Sequence, residues 1–184
     1  QMDAANVDLK AFSDRFYQKL CFAHLEPVLD TLAWIRNHSK TWLEITTLIV
    51  PGENDDPNEI RRLCAWCARH LGSETPLHFT AYHPAYRHKG TAPTPASTLA
   101  LARTIAAEQG LIHVYSGNIR DIDGQSTVCG ACATRIIERD GYRILSYRID
   151  AQGRCEVCGA NVAGRFDERA GAWGEKRQRL RLGR

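Results

Sequence analysis

The sequence predicts an α/β fold, in which a parallel sheet or part of a barrel is followed by a small β module. Strand-like and helical segments alternate from the start of the chain, and connections of helical length require parallel strands with right-handed crossovers. At about residue 116 the texture changes, because Gly and Asp become frequent and paired cysteines follow. We expect residues 1–118 to form the sheet-and-helix part, 119–166 the β module, and 167–184 a basic, disordered tail.

The first segments predict a strand and two helical runs. Ala4–Lys10 is a short apolar segment that ends in charge, as a buried strand does. Ser13–Leu20 and Glu26–His38 both carry apolar residues at helical spacing. Only three residues precede the first strand, and a core strand seldom opens a globular domain. We therefore expect the sequence to be a fragment of a longer protein.

The next segments continue the alternation of strands and helices. Thr41–Val50 is β-branched and apolar, and Pro51-Gly52 closes it. Asn54-Asp55-Asp56-Pro57 supplies capping residues and a helix-starting proline for a helix over 58–71. The remaining predicted elements of this part are a strand over Pro76–Tyr82, a helix over Pro95–Gln109 and a strand over Leu111–Tyr115.

A hairpin is predicted in the β module. Arg135–Arg139 and Tyr142–Arg148 are short strand-like segments, and Asp140-Gly141 between them is a hairpin-turn signal. Two Cys-x-x-Cys pairs flank this hairpin, so that the turn can bring them to one place. Those two pairs are Cys129 with Cys132 and Cys155 with Cys158.

The two pairs predict a metal site. Each pair can lie on a tight turn that directs two thiolates at one point, with Gly130, Gly153 and Gly159 supplying backbone freedom. Four thiolates favour zinc, with a rubredoxin-like iron site as the second choice. Four protein ligands leave no open position, which favours a structural role. The competing interpretation is a pair of disulfides, which a reducing compartment disfavours.

Charge and cysteine usage narrow the class of protein. Of the net charge of +3, residues 169–184 carry +5, which leaves about −2 for the rest of the chain. The body is therefore not basic, and nucleic-acid binding is the minority interpretation of the tail. No segment has the length of a membrane span, and no secretion signal is present. We expect a cytoplasmic protein without a membrane partner.

The other three cysteines favour a structural interpretation. Cys64 and Cys67 share the Cys-x-x-Cys spacing, but they lie in a predicted helix with no partner pair nearby in sequence. Burial as small apolar side chains is the better interpretation for both, and for Cys21.

Polar side chains lie at the ends of the predicted strands. Ligands of parallel α/β folds bind beyond the carboxyl ends of the strands, so we predict a polar ligand site there, against the competing interpretation of solvated strand ends. Alternation places Asp8 with Lys10, and Glu44 with Thr46, on shared faces. His83 and Asn118 follow later strands. Histidines without ligand-like spacing are His24, His38, His70, His78, His88 and His113.

Seven segments occur in order along the chain: AANVDLKAF, QKLC, PVLDTLAWI, WLEITTLIVPGENDD, LHFTAYHPAY, PTP with a following helix, and the four-cysteine segment ending in AGRF. Together they resemble the AmmeMemoRadiSam system radical S-adenosylmethionine (SAM) enzymes, which are related to pyruvate formate-lyase activating enzymes. The likeness extends in order from about residue 3 to residue 166. It implies the C-terminal half of a partial (β/α) TIM-like radical SAM barrel, followed by a zinc-ribbon-like module.

The resemblance also implies an activity and its ligands. A 4Fe-4S cluster would cleave SAM reductively to a 5′-deoxyadenosyl radical, which abstracts hydrogen from an unknown substrate, either a protein or a small molecule. An electron donor for the cluster would be a further partner. Asp8 and Lys10 of the DLK motif and His83 of the YHP motif would contact SAM. Thr46 would line the same site.

The sequence departs from this family in two places. The Cys-x-x-x-Cys-x-x-Cys motif that holds the cluster is missing, so the cluster ligands are expected outside this chain and the chain alone is expected to be inactive. Phe22 follows the QKLC segment, where the family leads us to expect Gly. The alternative function is a non-enzymatic zinc-binding module that engages protein or nucleic acid through its basic tail. That alternative leaves the α/β part without a role.

Overall fold

A computed structural model describes residues 2–86 and 90–171, and the chain divides into two compact units between Ile119 and Arg120. Residues 172–184, which make up most of the predicted basic tail, lie outside the described residues. Within the described ranges, no helix is both long enough and apolar enough to cross a membrane.

The first unit is an α/β structure with a parallel sheet, as predicted. Four strands pair in the order β1-β2-β3-β4, and every pair is parallel. The elements are β1 (Ala4–Asp8), α1 (Asp14–Phe16), a π-helical turn (Tyr17–Cys21), α2 (Leu25–His38), β2 (Trp42–Ile49), α3 (Pro57–His70), β3 (Leu77–Ala81), α4 (Ala96–Glu108) and β4 (Val114–Gly117).

The three long helices contribute to a single apolar core on one face of the sheet. Burial along β2 alternates strictly, and Leu43, Ile45 and Ile49 point into that core. Leu32 of α2, Leu63 of α3 and Leu99 of α4 lie in the same core, as do the buried residues of β3. We call the opposite surface of the sheet the open face, and define it by Asn6, Asp8, Trp42, Glu44, Thr46, His78 and Tyr115.

The start of α3 follows the predicted capping signal. The Asp56 carboxylate accepts hydrogen bonds from the backbone N–H groups of Asn58 and Glu59, and Pro57 occupies the first helical position. Both cysteines of this helix are buried, which agrees with their interpretation as core residues. Burial raises the pKa of the Cys64 thiol to about 12 and raises that of Cys67 further, so both stay protonated.

The last strand of the sheet lies three residues later in the chain than predicted. Leu111 closes α4 instead of opening β4, because its N–H donates to the carbonyl of Ala106. Gly110 adopts the left-handed φ of 87° that this helix ending requires. The apolar side chain of Leu111 is buried in the core of this unit, and this burial explains the strand-like signal of the segment.

The second unit is a small antiparallel β structure. Its described elements are α5 (Ile122–Gln125), β5 (Thr127–Val128), β6 (Arg135–Asp140) and β7 (Arg143–Tyr147). The strands pair in the order β5-β6-β7, and the hairpin turn lies at Gly141-Tyr142, one residue later than predicted, because Asp140 still pairs with Arg143. Neither α5 nor β5 was expected from the sequence. The described core is small and consists of Cys129, Ile136, Ile137, Ile149 and Cys155.

Candidate functional sites

The first candidate site begins at the carboxyl end of β1. The Lys10 ammonium lies 2.7 Å from a carboxylate oxygen of Asp8, so the two side chains turn to the same side as alternation predicts. Lys10 lies just beyond the strand, where its backbone is held from two directions. Its N–H donates to the Tyr17 hydroxyl at 3.0 Å, and its carbonyl accepts from the Asn54 amide at 2.6 Å.

The buried side chain of Asn54 links the carboxyl ends of β1 and β2 by hydrogen bonds. Only 3% of the residue is exposed. Its amide nitrogen also donates to the carbonyl of Leu48 at 2.9 Å, and its amide oxygen accepts from the N–H of Val50 at 2.7 Å. The end of β2 and the backbone of Lys10 are thus held in one hydrogen-bonded unit. The sequence predicted Asn54 only as part of a capping cluster, since nothing local reveals its burial.

His83 lies in the segment that follows β3. Its Nε2 lies 2.8 Å from the carbonyl oxygen of Asn118, which can only accept a hydrogen bond. Nε2 therefore carries the hydrogen, and the lone pair of the neutral ring is on Nδ1. Asn118 adopts a left-handed φ of 59°, and its amide donates to the carbonyl of Ala81. These two bonds fix the orientation of the His83 ring.

The structure brings three of the four predicted SAM-site residues together directly. Asp8 and Thr46 are register partners on adjacent strands, and Lys10 contacts Asp8. The Thr46 hydroxyl donates to the amide oxygen of Asn6 at 2.7 Å. His83 follows β3, which is separated from β1 by one strand, at the same carboxyl edge of the sheet.

The second candidate site is the group of four cysteines. All four sulfur atoms lie within 4.8 Å of one another. Cys129 Sγ is 3.7 Å from Cys158 Sγ, and Cys132 Sγ is 3.9 Å from Cys155 Sγ. A tetrahedral zinc site with Zn–S bonds of about 2.3 Å has sulfur–sulfur edges of about 3.8 Å. The thiol positions therefore fit a metal ion, and their separations are too long for disulfides.

The two Cys-x-x-Cys turns have the same backbone hydrogen bonds. In the first turn, the Cys129 N–H donates to the Thr134 carbonyl and the Ala133 N–H donates to the Cys129 carbonyl. In the second turn, Cys155 is bonded in the same way to Ala160 and Gly159. The residue after each second cysteine is left-handed, with φ values of 56° at Ala133 and 75° at Gly159. Gly130 does not have a positive φ, so its predicted role as a turn glycine was wrong and belongs to Ala133.

The exposed thiols of the two turns differ in the direction of their pKa shifts. Hydrogen bonding with Thr134, first with its hydroxyl and then with its backbone N–H, lowers the pKa of Cys132 to about 6. The Ala160 N–H lowers the pKa of Cys158, but the neighbouring thiols Cys132, Cys129 and Cys155 together with burial outweigh it and raise the pKa to about 12. A dication bound among the four sulfur atoms would favour the thiolate form of each.

Comparisons with known proteins show the fold and a relative of about twice the length. No family model matches the sequence. The chain is 40% identical over 162 residues to the uncharacterized protein MJ0808 of Methanocaldococcus jannaschii. The match covers 88% of this chain and 48% of the relative, so the chain spans about half the length of that protein.

A solved structure shares the α/β fold. It is a domain of a pyruvate-formate lyase-activating enzyme from Bacteroides vulgatus, with a TM-score of 0.55 and 16% sequence identity. The match covers 63% of this chain and 68% of that domain. At this identity the likeness shows a shared fold, which agrees with the α/β class that the sequence predicted. Neither comparison tests the assignment to the AmmeMemoRadiSam group.

Two residues of the open face were not recognised as a pair in the sequence. His78 was set aside because its spacing from other histidines suggested no ligand set, and Glu44 was noted only for sharing a face with Thr46. In the structure, His78 Nε2 lies 2.9 Å from Glu44 Oε2. The signal that joins them is the register between β2 and β3, which pairs Thr46 with His78. A single sequence does not contain that register.

Proposed function

We propose that this chain is the C-terminal half of a radical SAM barrel of the activating-enzyme type, with a structural zinc module attached. The observation that supports this proposal is the one-sided sheet. Parallel sheets occur with both faces covered or closed into a barrel, whereas here the helices of the first unit share one core on one face. The open face would be the lumen of a barrel completed by the remainder of the longer protein.

The residues at the strand ends suit the polar end of SAM. Asp8 and Lys10 supply one negative and one positive charge, which match the α-ammonium and α-carboxylate groups of that molecule. The Nδ1 lone pair of His83 is available as a hydrogen-bond acceptor, because Nε2 is bonded to Asn118. Thr46 would line the site beside Asp8. Asn54 acts as a positioning residue, since it holds the backbone of Lys10.

The cluster that the proposal requires would be held by residues outside this chain. When bound, a 4Fe-4S cluster supplies the electron that cleaves SAM and starts hydrogen abstraction from the substrate. The described residues of this chain contain one group of cysteines that could hold a metal, and its geometry fits a single tetrahedral ion. We propose zinc for that group, because all four ligands are thiols and none leaves an open position.

A binding experiment on the full-length protein tests the proposal. We expect SAM to bind, and Asp8→Asn or His83→Ala to weaken this binding about tenfold or more by calorimetry, because each variant removes a hydrogen-bonding group that faces a charged part of the ligand. The metal content of the four-cysteine module should stay unchanged in both variants. Asp30→Asn, on an exposed position of α2, serves as the matched control for a lost carboxylate and should bind like the parent protein.

The same experiment distinguishes the alternative function. Unchanged SAM affinity in both variants would remove the site assignment. Absence of SAM binding, together with salt-dependent binding of nucleic acid, would favour the zinc-module interpretation. A protein that neutralises phosphates releases their counterions, so its affinity for nucleic acid falls steeply as the salt concentration rises.

A further inference from the structure

The open face carries a histidine that is hydrogen-bonded to a carboxylate, and neither residue belongs to the proposed SAM site. His78 on β3 and Glu44 on β2 are joined by a bond of 2.9 Å between Nε2 and Oε2. The second carboxylate oxygen, Oε1, accepts from the indole N–H of Trp42 at 3.0 Å. Both Glu44 oxygens therefore have a hydrogen-bond partner, and these two bonds restrict the orientation of the carboxylate. We call the side chains of Trp42, Glu44 and His78 the relay.

The relay fixes the tautomer of His78. An ionised carboxylate only accepts hydrogen bonds, so Nε2 carries the hydrogen and the lone pair of the neutral ring lies on Nδ1. The ring stacks on Tyr115, with ring centroids 5.0 Å apart and an interplanar angle of 26°. A bond on one edge and a ring on one face hold the imidazole in a single orientation.

His78 and Glu44 are accessible enough for a ligand to contact them, unlike an ion pair in the core. The side chains of His78 and Glu44 remain 28% and 34% exposed. His78 is the register partner of Thr46, which neighbours Asp8, so the relay adjoins the proposed SAM residues on the same face. Among the described residues, no hydrogen-bond partner is assigned to His78 Nδ1.

We propose that His78 is a substrate-facing proton acceptor, oriented by Glu44, for a small molecule that presents a hydroxyl group to Nδ1. The ligand's O–H donates to the lone pair. If the proton is transferred, the O–H bond breaks and its electron pair stays on the ligand oxygen as a negative charge. The new N–H bond forms at Nδ1, and Glu44 balances the positive charge of the ring. This proposal rests on the assignment of the open face to the active-site side under the proposed function.

Carbethoxylation of the full-length protein without SAM tests this proposal. Diethyl pyrocarbonate is a small electrophile that reacts with an accessible imidazole lone pair, and peptide mass spectrometry resolves each histidine. We expect His78 to react at a rate comparable to that of exposed His38. Glu44→Gln should slow the reaction of His78 several-fold, because an amide no longer fixes the tautomer. The reaction rate of His38 should not change, since its Nδ1 bonds to the Trp34 carbonyl instead.

A second measurement keeps the test decisive if a variant is destabilised. Nitrogen-15 spectra of the unmodified protein should show His78 as the Nε2–H tautomer and His38 as the Nδ1–H tautomer. An unreactive His78, or a rate unaffected by Glu44→Gln in a folded protein, would overturn the proposal and leave a structural ion pair. These outcomes do not depend on SAM binding, so a reactive His78 in a protein that fails to bind SAM would refute only the proposed function.

Discussion

Phe22 is a non-glycine residue at a position whose left-handed backbone conformation favours glycine. It ends the π-helical turn with a left-handed φ of 52°, and its N–H donates to the carbonyl of Tyr17. The side chain is 92% exposed, so its packing contributes little. The sequence resemblance led us to expect Gly here, and the positive φ gives the physical reason, because a Cβ atom is strained in this conformation.

Replacing Phe22 with Gly should therefore stabilise the protein. We expect Phe22→Gly to raise the free energy of unfolding by about 1 kcal/mol, since the left-handed strain is removed and no buried contact is lost. Denaturant unfolding followed by circular dichroism measures the change. Phe22→Ala is the matched control, because it removes the ring but keeps the Cβ atom. An equal gain in both variants would show that exposure of the ring, rather than backbone strain, sets the effect.

His113 gives the first unit a defined pH dependence. His113 is only 5% exposed, and its Nδ1 has no hydrogen-bond partner within the described part of the chain. Burial lowers its pKa below the usual 6.5, although Glu74 and Glu44 partly oppose the shift. As the pH falls through 6.5, His113 becomes protonated in the unfolded chain, whereas in the folded chain it becomes protonated only at a lower pH. The stability of the folded state is therefore full above pH 6.5 and is lost as the pH decreases.

The expected measurement is a comparison of unfolding free energies at pH 7.5 and pH 5. The parent protein should lose stability between these values, and His113→Gln should lose less. His38→Gln, at an exposed position in α2, should follow the parent curve. A parallel decline in all three proteins would assign the pH dependence to other groups.

At the scale of elements, the sequence predicted what local patterns determine. Both ends of six elements lie within about two residues of their predicted bounds, because apolar spacing and capping residues are local signals. These elements are helices α2, α3 and α4 and strands β1, β2 and β3. The position of β4 was wrong, because Leu111 is buried by a helix ending rather than by a strand. The short β5 is defined by its pairing with β6, which no local pattern encodes.

The cap of α3 is an element whose contribution can be measured. Asp56 accepts from two backbone N–H groups that would otherwise lack partners within the helix. We expect Asp56→Ala to lower the free energy of unfolding by about 1 kcal/mol. Asp56→Asn retains an amide oxygen as acceptor and should lose only a fraction of that amount. Equal losses in the two variants would assign the effect to charge near the helix start instead of to capping.

At the scale of the whole molecule, the two units differ in what stabilises them. The first unit has a continuous core shared by its strands and long helices. The second unit has five buried apolar residues in its described core, and two of these are the thiol-bearing Cys129 and Cys155. Small domains with so little core usually depend on a metal or disulfides. The spacing of the cysteines predicted the members of this site, whereas the open face required the sheet register.

Metal removal should therefore unfold one unit and leave the other folded. Structural zinc sites couple binding to folding, so after chelation we expect amide hydrogen exchange over residues 120–171 to approach the unprotected rate. Exchange over residues 4–117 should not change. Elemental analysis before chelation should find one zinc per chain. Cys132→Ser should reproduce the loss of protection, whereas Cys21→Ser, a thiol in the first unit, should not. Retained protection of the second unit after complete metal removal would show that the five-residue core is sufficient by itself.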